Sequence, residues 1–508
     1  MRKILHPDDY PILALVVIKI LLHSWVNFFD GVFRDELYYI ACGQHLDFGY
    51  VDHPPLVALI AACTRFALGD SIFALRIPAM LAGALSIFLT ARLTRALGGG
   101  RYAQFTAALT VLLAPVYLAM SSYLSMNVFD ILFWLLGAYL LILIIQEEKT
   151  KYWLLFGVVM GLGLQNKISV LFFGFGIFTG IVLTQNRRWL AAKWIWISGL
   201  TAGLIFLPHI LWQIAYGWPT LEFIYNATKY KNVHLSASGF LTEQVLILNP
   251  LFFPLWALGL CWCFFSKEGN RYRLFGWAYI AIVLILVVKS GKPYYLAPIY
   301  TILFAMGAAC LESIINKMRI FYLKPIITVY LTIFGILIMP MALPILPEKT
   351  FMQYSSFLGI KPSAGENKEQ GPLPQFFADR YGWKETAEAV GKVYHTLSDA
   401  KKEQCVIVAG NYGQAGAIDY FGAKQGLPNA ISAHNSYHLW GPGEKSGEIA
   451  IAIGIPKNVL ENLYDIVEEA AVFDHKYAMP YERHKPIYLC KGLKASIQRI
   501  WPQFKNYS

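Results

Sequence analysis

The chain has 508 residues, 56% of them hydrophobic and only 15% charged, against about 25% charged in soluble proteins. With 15% aromatic residues and 14 tryptophans, this composition excludes a disordered, collagen-like or small disulfide-stapled chain and points to a polytopic membrane protein. The net charge of +11 is no nucleic-acid signature here, because Lys and Arg in short loops are what orient membrane helices.

Runs of about 20 apolar residues suffice for an α-helix to cross roughly 30 Å of hydrocarbon. Hydropathy predicts about eleven such spans, near residues 11–29, 72–97, 102–121, 126–146, 152–166, 168–185, 190–213, 241–266, 273–289, 294–312 and 322–345. Residues 1–29 lack a cleavage site after their long apolar run and read as the first span rather than a signal peptide. Counting from a cytoplasmic N-terminus, the loops assigned inside hold Arg2 and Lys3; Arg92, Arg95 and Arg101; Lys149 and Lys151; Arg187, Arg188 and Lys193. They also hold Lys267, Arg271 and Arg273, and finally Lys317, Arg319 and Lys324. Every inside loop is basic, as positive-inside orientation requires. An odd number of spans then leaves everything after about residue 346 outside.

The first outer loop, residues 30–71, carries two amphipathic stretches (35–46 and 55–68) expected to lie as interfacial helices. Residues 214–240 form a second sizeable outer loop. From Pro347 the long apolar runs stop. The expected division is a transmembrane domain over 1–345, a linker over 346–375 and an α/β domain over 376–508. In the last, "WKETAEAVGKVYHTL" and "QAGAIDYFGAKQG" read as helices, and "CVIVAG", "EIAIAIGI" and "PIYLCKG" as strands. Their alternation suggests a largely parallel sheet. Of the seven cysteines, Cys405 and Cys490 lie in this region and can pair if it is exported; Cys261 and Cys263 sit in an apolar run without a nearby His. No metal-ligand spacing recurs, and no metal or cofactor is expected.

Polar residues that interrupt or abut the spans are the candidates for chemistry. Asp35 and Glu36 follow Arg34 just after the first span, and His53 precedes Pro54 and Pro55. Asn127 and Asp130 open the fourth span, Lys167 lies between the fifth and sixth, and His209, Trp212 and Gln213 end the seventh. Lys292 stands in "SGKPYYLAPIY" with Tyr294 and Tyr295. The topology puts all of them at one membrane boundary. An ionisable residue inside a span is costly and faces a cavity or a partner; for Asp130 the plain alternative is pairing with a nearby Lys. For Asp35 and Glu36 the alternative is a solvated pair, for His53 an ordinary loop histidine, and for Lys167 and Lys292 snorkelling to the interface. Lys19, near the middle of the first span, has no assigned role beyond an intra-bundle partner. A carboxylate beside several cations at this depth suits transfer from a lipid phosphate. The cations would hold the phosphate as it leaves, and the carboxylate would accept the proton of the attacking hydroxyl. No nucleotide-binding glycine motif is present.

These residues resemble a family, the GT-C glycosyltransferases related to protein O-mannosyltransferases and the aminoarabinose transferase of lipid A. The resemblance rests on "RDELYY", "DHPPL", "RIPAMLAGAL" and "KPYYLAPIY" in that order, and on "NYGQAGAIDYFG" and "ISAHNSYHLWGP" towards the C-terminus. It implies a bundle of about eleven transmembrane helices with a small extracytoplasmic α/β domain. The activity implied is inverting sugar transfer from a polyprenyl-phosphate donor to a lipid, glycan or protein acceptor at the outer face of the bacterial inner membrane. It further implies Asp35 as base with Glu36 beside it, and Asp130 or Asn127 as the second polar position. Where the aminoarabinose transferase has Lys before its Pro-Pro pair this chain has His53, so Lys167 and Lys292 become the better phosphate ligands, with Arg76 in reserve. The rival reading is a transporter or flippase for a lipid-linked or anionic substrate, which would show paired halves and midplane polar groups; no internal repeat is visible.

Overall fold

The computed structural model describes residues 9–362 and 365–508; the expected inside cations Arg2 and Lys3 lie outside the described residues. The chain forms two compact units. One comprises residues up to Phe29 together with Ala67–Leu211 and His234–Leu346, and the other Asp30–Phe66, Trp212–Val233 and Pro347–Ser508.

The first unit is helical throughout, with helix over each of the expected spans. Seven helices among the described residues are long and apolar enough to cross a membrane, nine if each of two bent pairs crosses as one, against the eleven read from hydropathy. The remaining two have local causes. Pro115 holds Ala114 in extended backbone (φ −67°, ψ 128°) and so divides Arg101–Leu113 from Pro115–Met120, because proline disfavours helix at the residue before it. Thr150–Asn166 has only 17 residues. The pair Ala237–Ile247 and Pro250–Phe265 bends by 88° at Asn249, whose φ of +78° lies outside helix and whose side chain accepts the Leu251 N–H at 3.1 Å.

Equal hydropathy hides unequal placement. The span Pro293–Met318 is 78% buried within the protein, whereas Lys193–Ala215 is 11% and Leu323–Met341 17% buried; the last two present Leu200, Leu204, Ile333 and Ile336 outward. The central helix is reached at close range. A Cβ at Gly259 would strike the Leu303 carbonyl, and one at Gly307 the Leu255 carbonyl, the small-residue contact that lets membrane helices approach closely. Lys19 finds its partner here. Its ammonium donates to the Tyr117 carbonyl at 3.1 Å, and His23 Nε2 lies 3.1 Å from the Leu118 carbonyl. Both approach carbonyls in the last turns of the short helix Pro115–Met120, where carbonyls lack intrahelical partners; the Tyr117 carbonyl also accepts the Ser121 hydroxyl at 2.6 Å.

The second unit gathers the first loop, part of the second and the C-terminal region. Its loop helices Arg34–Gln44 and Leu56–Leu68 match the two amphipathic stretches. Its sheet contains β1 (Cys405–Ala409), β2 (Ala430–Ser432), β3 (Ile449–Ile453), β4 (Tyr464–Phe473) and β5 (Lys485–Leu493), in the order β2-β1-β3-β5-β4. The pairings β1–β2 and β1–β3 are parallel, but β3–β5 and β4–β5 are antiparallel, so the sheet is mixed rather than largely parallel. Cys405 and Cys490 are both free. They stand on β1 and β5 with β3 between, opposite Ile449 and Ala450. Two strand spacings, roughly 9–10 Å, exceed disulfide reach.

Candidate functional site

In the helical unit, Ser125 accepts the Asn127 N–H and starts the helix Met126–Glu147, which sets Asn127 and Asp130 one turn apart on one face. The helix Thr150–Asn166 ends at Lys167, held in extended backbone. The Lys167 ammonium donates to Asn127 Oδ1 at 2.8 Å and lies 3.9 Å from Asp130 Oδ2. Asp130 is 1% exposed and accepts the Ser169 hydroxyl at 2.7 Å, while its Oδ1 has no hydrogen-bond partner. The same ammonium sits 4.5 Å from the Tyr295 ring centre and 5.5 Å from that of Tyr294. Those rings come from the short 3₁₀ turn Pro293–Leu296, which Lys292 precedes. Five of the sequence-selected residues (Asn127, Asp130, Lys167, Tyr294 and Tyr295) therefore form one cluster around a single cation.

In the other unit, Asp35 sits in the first turn of the helix Arg34–Gln44, where the helix dipole favours a carboxylate. Its neighbour Glu36 is fully buried and accepts the Phe33 N–H at 3.0 Å, so Glu36 caps the helix that carries Asp35. The Asp35 side chain is 34% exposed. It accepts the Tyr412 hydroxyl at 2.8 Å and lies 3.8 Å from Arg34 Nε, both through Oδ1. Arg34 in turn donates to the Tyr481 hydroxyl at 3.0 Å and approaches Asp379 at 4.0 Å. Burial outweighs the Arg34 charge and pushes the Asp379 carboxyl up to about 6. The next residue, Arg380, pairs with Asp30. Arg34, Tyr412, Tyr481, His434, Lys231 and Glu366 line a solvent-open cavity of about 250 Å³.

The other selected residues have different surroundings. His53 is fully buried, with Nδ1 2.8 Å from the Pro54 carbonyl and Nε2 3.8 Å from Cys42 Sγ, and the rings of Tyr38, Tyr39 and Tyr50 pack on it. Trp212 Nε1 donates to Asp47 of the first loop at 2.7 Å, and Gln213 donates to Thr220 at 2.6 Å, whose own hydroxyl donates to the Tyr50 carbonyl of the first loop at 3.4 Å. Arg76 and His209 are buried in the helical unit, His209 against Phe206. Sequence reasoning missed Ser169, Asp379 and Tyr412. Only Tyr412 left a trace, in the motif "NYGQAGAIDYFG".

Residues 52–212 match the family described as dolichyl-phosphate-mannose-protein mannosyltransferase. The crystal structure of ArnT from Cupriavidus metallidurans bound to undecaprenyl phosphate superposes with a TM-score of 0.62 over 94% of this chain and 97% of that one, at 12% identity. The chain has the GT-C fold. Among curated proteins, the GT-C-fold chain is 21% identical over 266 residues to the lipid A galacturonosyltransferase RgtD of Rhizobium johnstonii, covering 51% of this chain and 55% of that protein. It is 24% identical over 261 residues to the polyprenol-phosphate-mannose–protein mannosyltransferase of Corynebacterium glutamicum, covering 50% and 44%. The chain thus spans about half the length of the curated relatives it matches. Within this GT-C-fold chain the family match contains His53, Asn127, Asp130 and Lys167, while Asp35 and Tyr412 fall outside it.

Proposed function

We propose that this protein is an integral-membrane, inverting glycosyltransferase that moves a sugar from a polyprenyl-phosphate donor to a hydroxyl- or phosphate-bearing lipid, glycan or protein acceptor. It would work at the outer face of the bacterial inner membrane with residues 346–508 extracytoplasmic, a placement supported by the basic loops Arg92–Arg101, Lys149–Lys151 and Lys317–Lys324. The observation that carries the reading is the Asp35 carboxylate: Oδ1 is held by Tyr412 while Oδ2 is left open on a partly exposed side chain.

In this reading Asp35 Oδ2 accepts the acceptor's proton as its oxygen forms a bond to the sugar's anomeric carbon. The bond from that carbon to the phosphate oxygen breaks, and polyprenyl phosphate leaves with its electron pair. Negative charge grows on the leaving phosphate, and a cation stabilises it; Lys167, Lys292 and Arg76 are the candidates for that role. The test is consumption of a polyprenyl-phosphate sugar by the purified protein in nanodiscs, with release of polyprenyl phosphate. Native protein that neither binds nor consumes any such donor would sink the proposal.

A further inference from the structure

The motif Asn411–Tyr412–Gly413 belongs to the C-terminal region, yet its contacts lead to the first loop. We infer that Tyr412 is a positioning residue for Asp35, so that the C-terminal α/β region supplies part of the catalytic apparatus rather than an accessory fold. The inference rests on the reading of Asp35 as base and specifies which residue aims it.

Three observations carry it. First, the Tyr412 hydroxyl donates to Asp35 Oδ1 at 2.8 Å, the same oxygen that faces Arg34. Two contacts on one oxygen fix the carboxylate plane and leave Oδ2 for the incoming hydroxyl. Second, the tyrosine is itself immobilised. Its ring lies against Tyr38 (4.7 Å between centres, 32°) and His434 (4.9 Å, 26°), with the Arg34 guanidinium 5.3 Å from its centre. Its backbone N–H donates to His434 Nδ1 at 3.3 Å, and the other ring nitrogen of His434 lies 2.8 Å from the Ser508 carbonyl. Third, the approach depends on missing side chains. A Cβ at Gly413 would come within 2.7 Å of Arg34 Cγ, and one at Gly416 within 2.9 Å of Leu37 Cβ. The glycines of this motif let the turn carrying Tyr412 lie directly on the helix carrying Asp35. Burial also keeps the phenol well above its ordinary range and His434 down at about 3. Tyr412 therefore stays a donor and His434 a neutral acceptor.

A hydroxyl that only aims the base should act on turnover, not on donor affinity. Tyr412→Phe retains the clasped ring. The expected result is a kcat lowered between about 10- and 100-fold, the scale of a misaligned catalytic group, with donor KM and melting temperature unchanged. In an Asp35→Asn background the same change should cost less than about twofold, because coupled residues are non-additive. Native kcat in Tyr412→Phe, or full additivity with Asp35→Asn, would overturn the inference while leaving the transferase reading intact. Failure of Tyr412→Phe to fold would assign the hydroxyl to fold maintenance and overturn it too. An inert native protein would overturn the transferase reading and, with it, this role.

Discussion

The two polar clusters handle charge in opposite ways. Around Lys167 there is one ammonium, a neutral amide oxygen at 2.8 Å, a carboxylate only at 3.9 Å and two aromatic faces. Such contacts attract a cation without cancelling it, since ring faces contribute a quadrupole rather than a formal charge. Around Asp35, by contrast, Arg34, Asp379, Tyr412 and Tyr481 form a chain of paired and hydrogen-bonded groups. On the proposed reading, the difference teaches that a charge that meets a ligand's charge is left under-neutralised, whereas a charge that takes a proton is pinned by one oxygen and open at the other.

The comparison breaks most visibly at Asp35. Asp35→Asn should lower turnover by about 10² to 10⁴, the range of general-base catalysis, with donor binding retained in a filter or calorimetric assay. Next comes the paired chain itself. Asp379 is buried, and its carboxyl is raised from 3.8 to about 6. Its contribution to stability is therefore fully present below about pH 4 and is lost as pH rises through about 6, a swing of up to about 3 kcal/mol. Melting in detergent from pH 4 to 7 should show that slope, and Asp379→Asn should flatten it; an unchanged slope would mean the carboxyl is not held away from water.

A smaller effect is expected at the under-neutralised cation. Lys167→Met should depress kcat by about 10- to 100-fold and raise donor KM less, because an ammonium helps most when phosphate charge is largest. Lys167→Arg should recover part of it. Native donor kinetics in the Met variant would reduce Lys167 to a structural partner of Asp130. The mildest change is Lys292→Met, expected at no more than a few-fold in the same assay, since Lys292 precedes the turn bearing Tyr294 and Tyr295 while the ammonium over those rings is that of Lys167. An effect equal to that of Lys167→Met would instead make the two lysines joint ligands.

Much of this was legible in the chain because hydropathy and loop charge are local properties. The helices, the two loop amphipaths and the position of Asn127, Asp130 and Lys167 at the ends of their spans follow from them. What escaped was long-range or lacked a pattern. The bend at Asn249 is one polar residue before Pro250 within an otherwise apolar run, so 241–266 reads as one straight span. Ser169 is one hydroxyl in an apolar run. β4 carries Glu468 and Glu469 on an exposed strand, without the period-two burial that marks a sheet, and its absence made the sheet look parallel. His53 sits beside prolines in sequence, and only the fold wraps it in tyrosines. Tyr412 is 377 positions from Asp35, a separation no window can bridge.

That separation also sets a timetable. At about 5–20 residues per second, synthesis of the 377 residues between Asp35 and Tyr412 takes roughly 20–75 s. Throughout that interval the helix Arg34–Gln44 lacks the glycine-bearing surface it finally rests on, and its carboxylate lacks the Tyr412 hydroxyl. On the proposed reading, the nascent protein carries its base from the first loop onward but acquires an aimed one only when the C-terminal region folds, so assembly of the polypeptide itself withholds the chemistry until Tyr412 is in place.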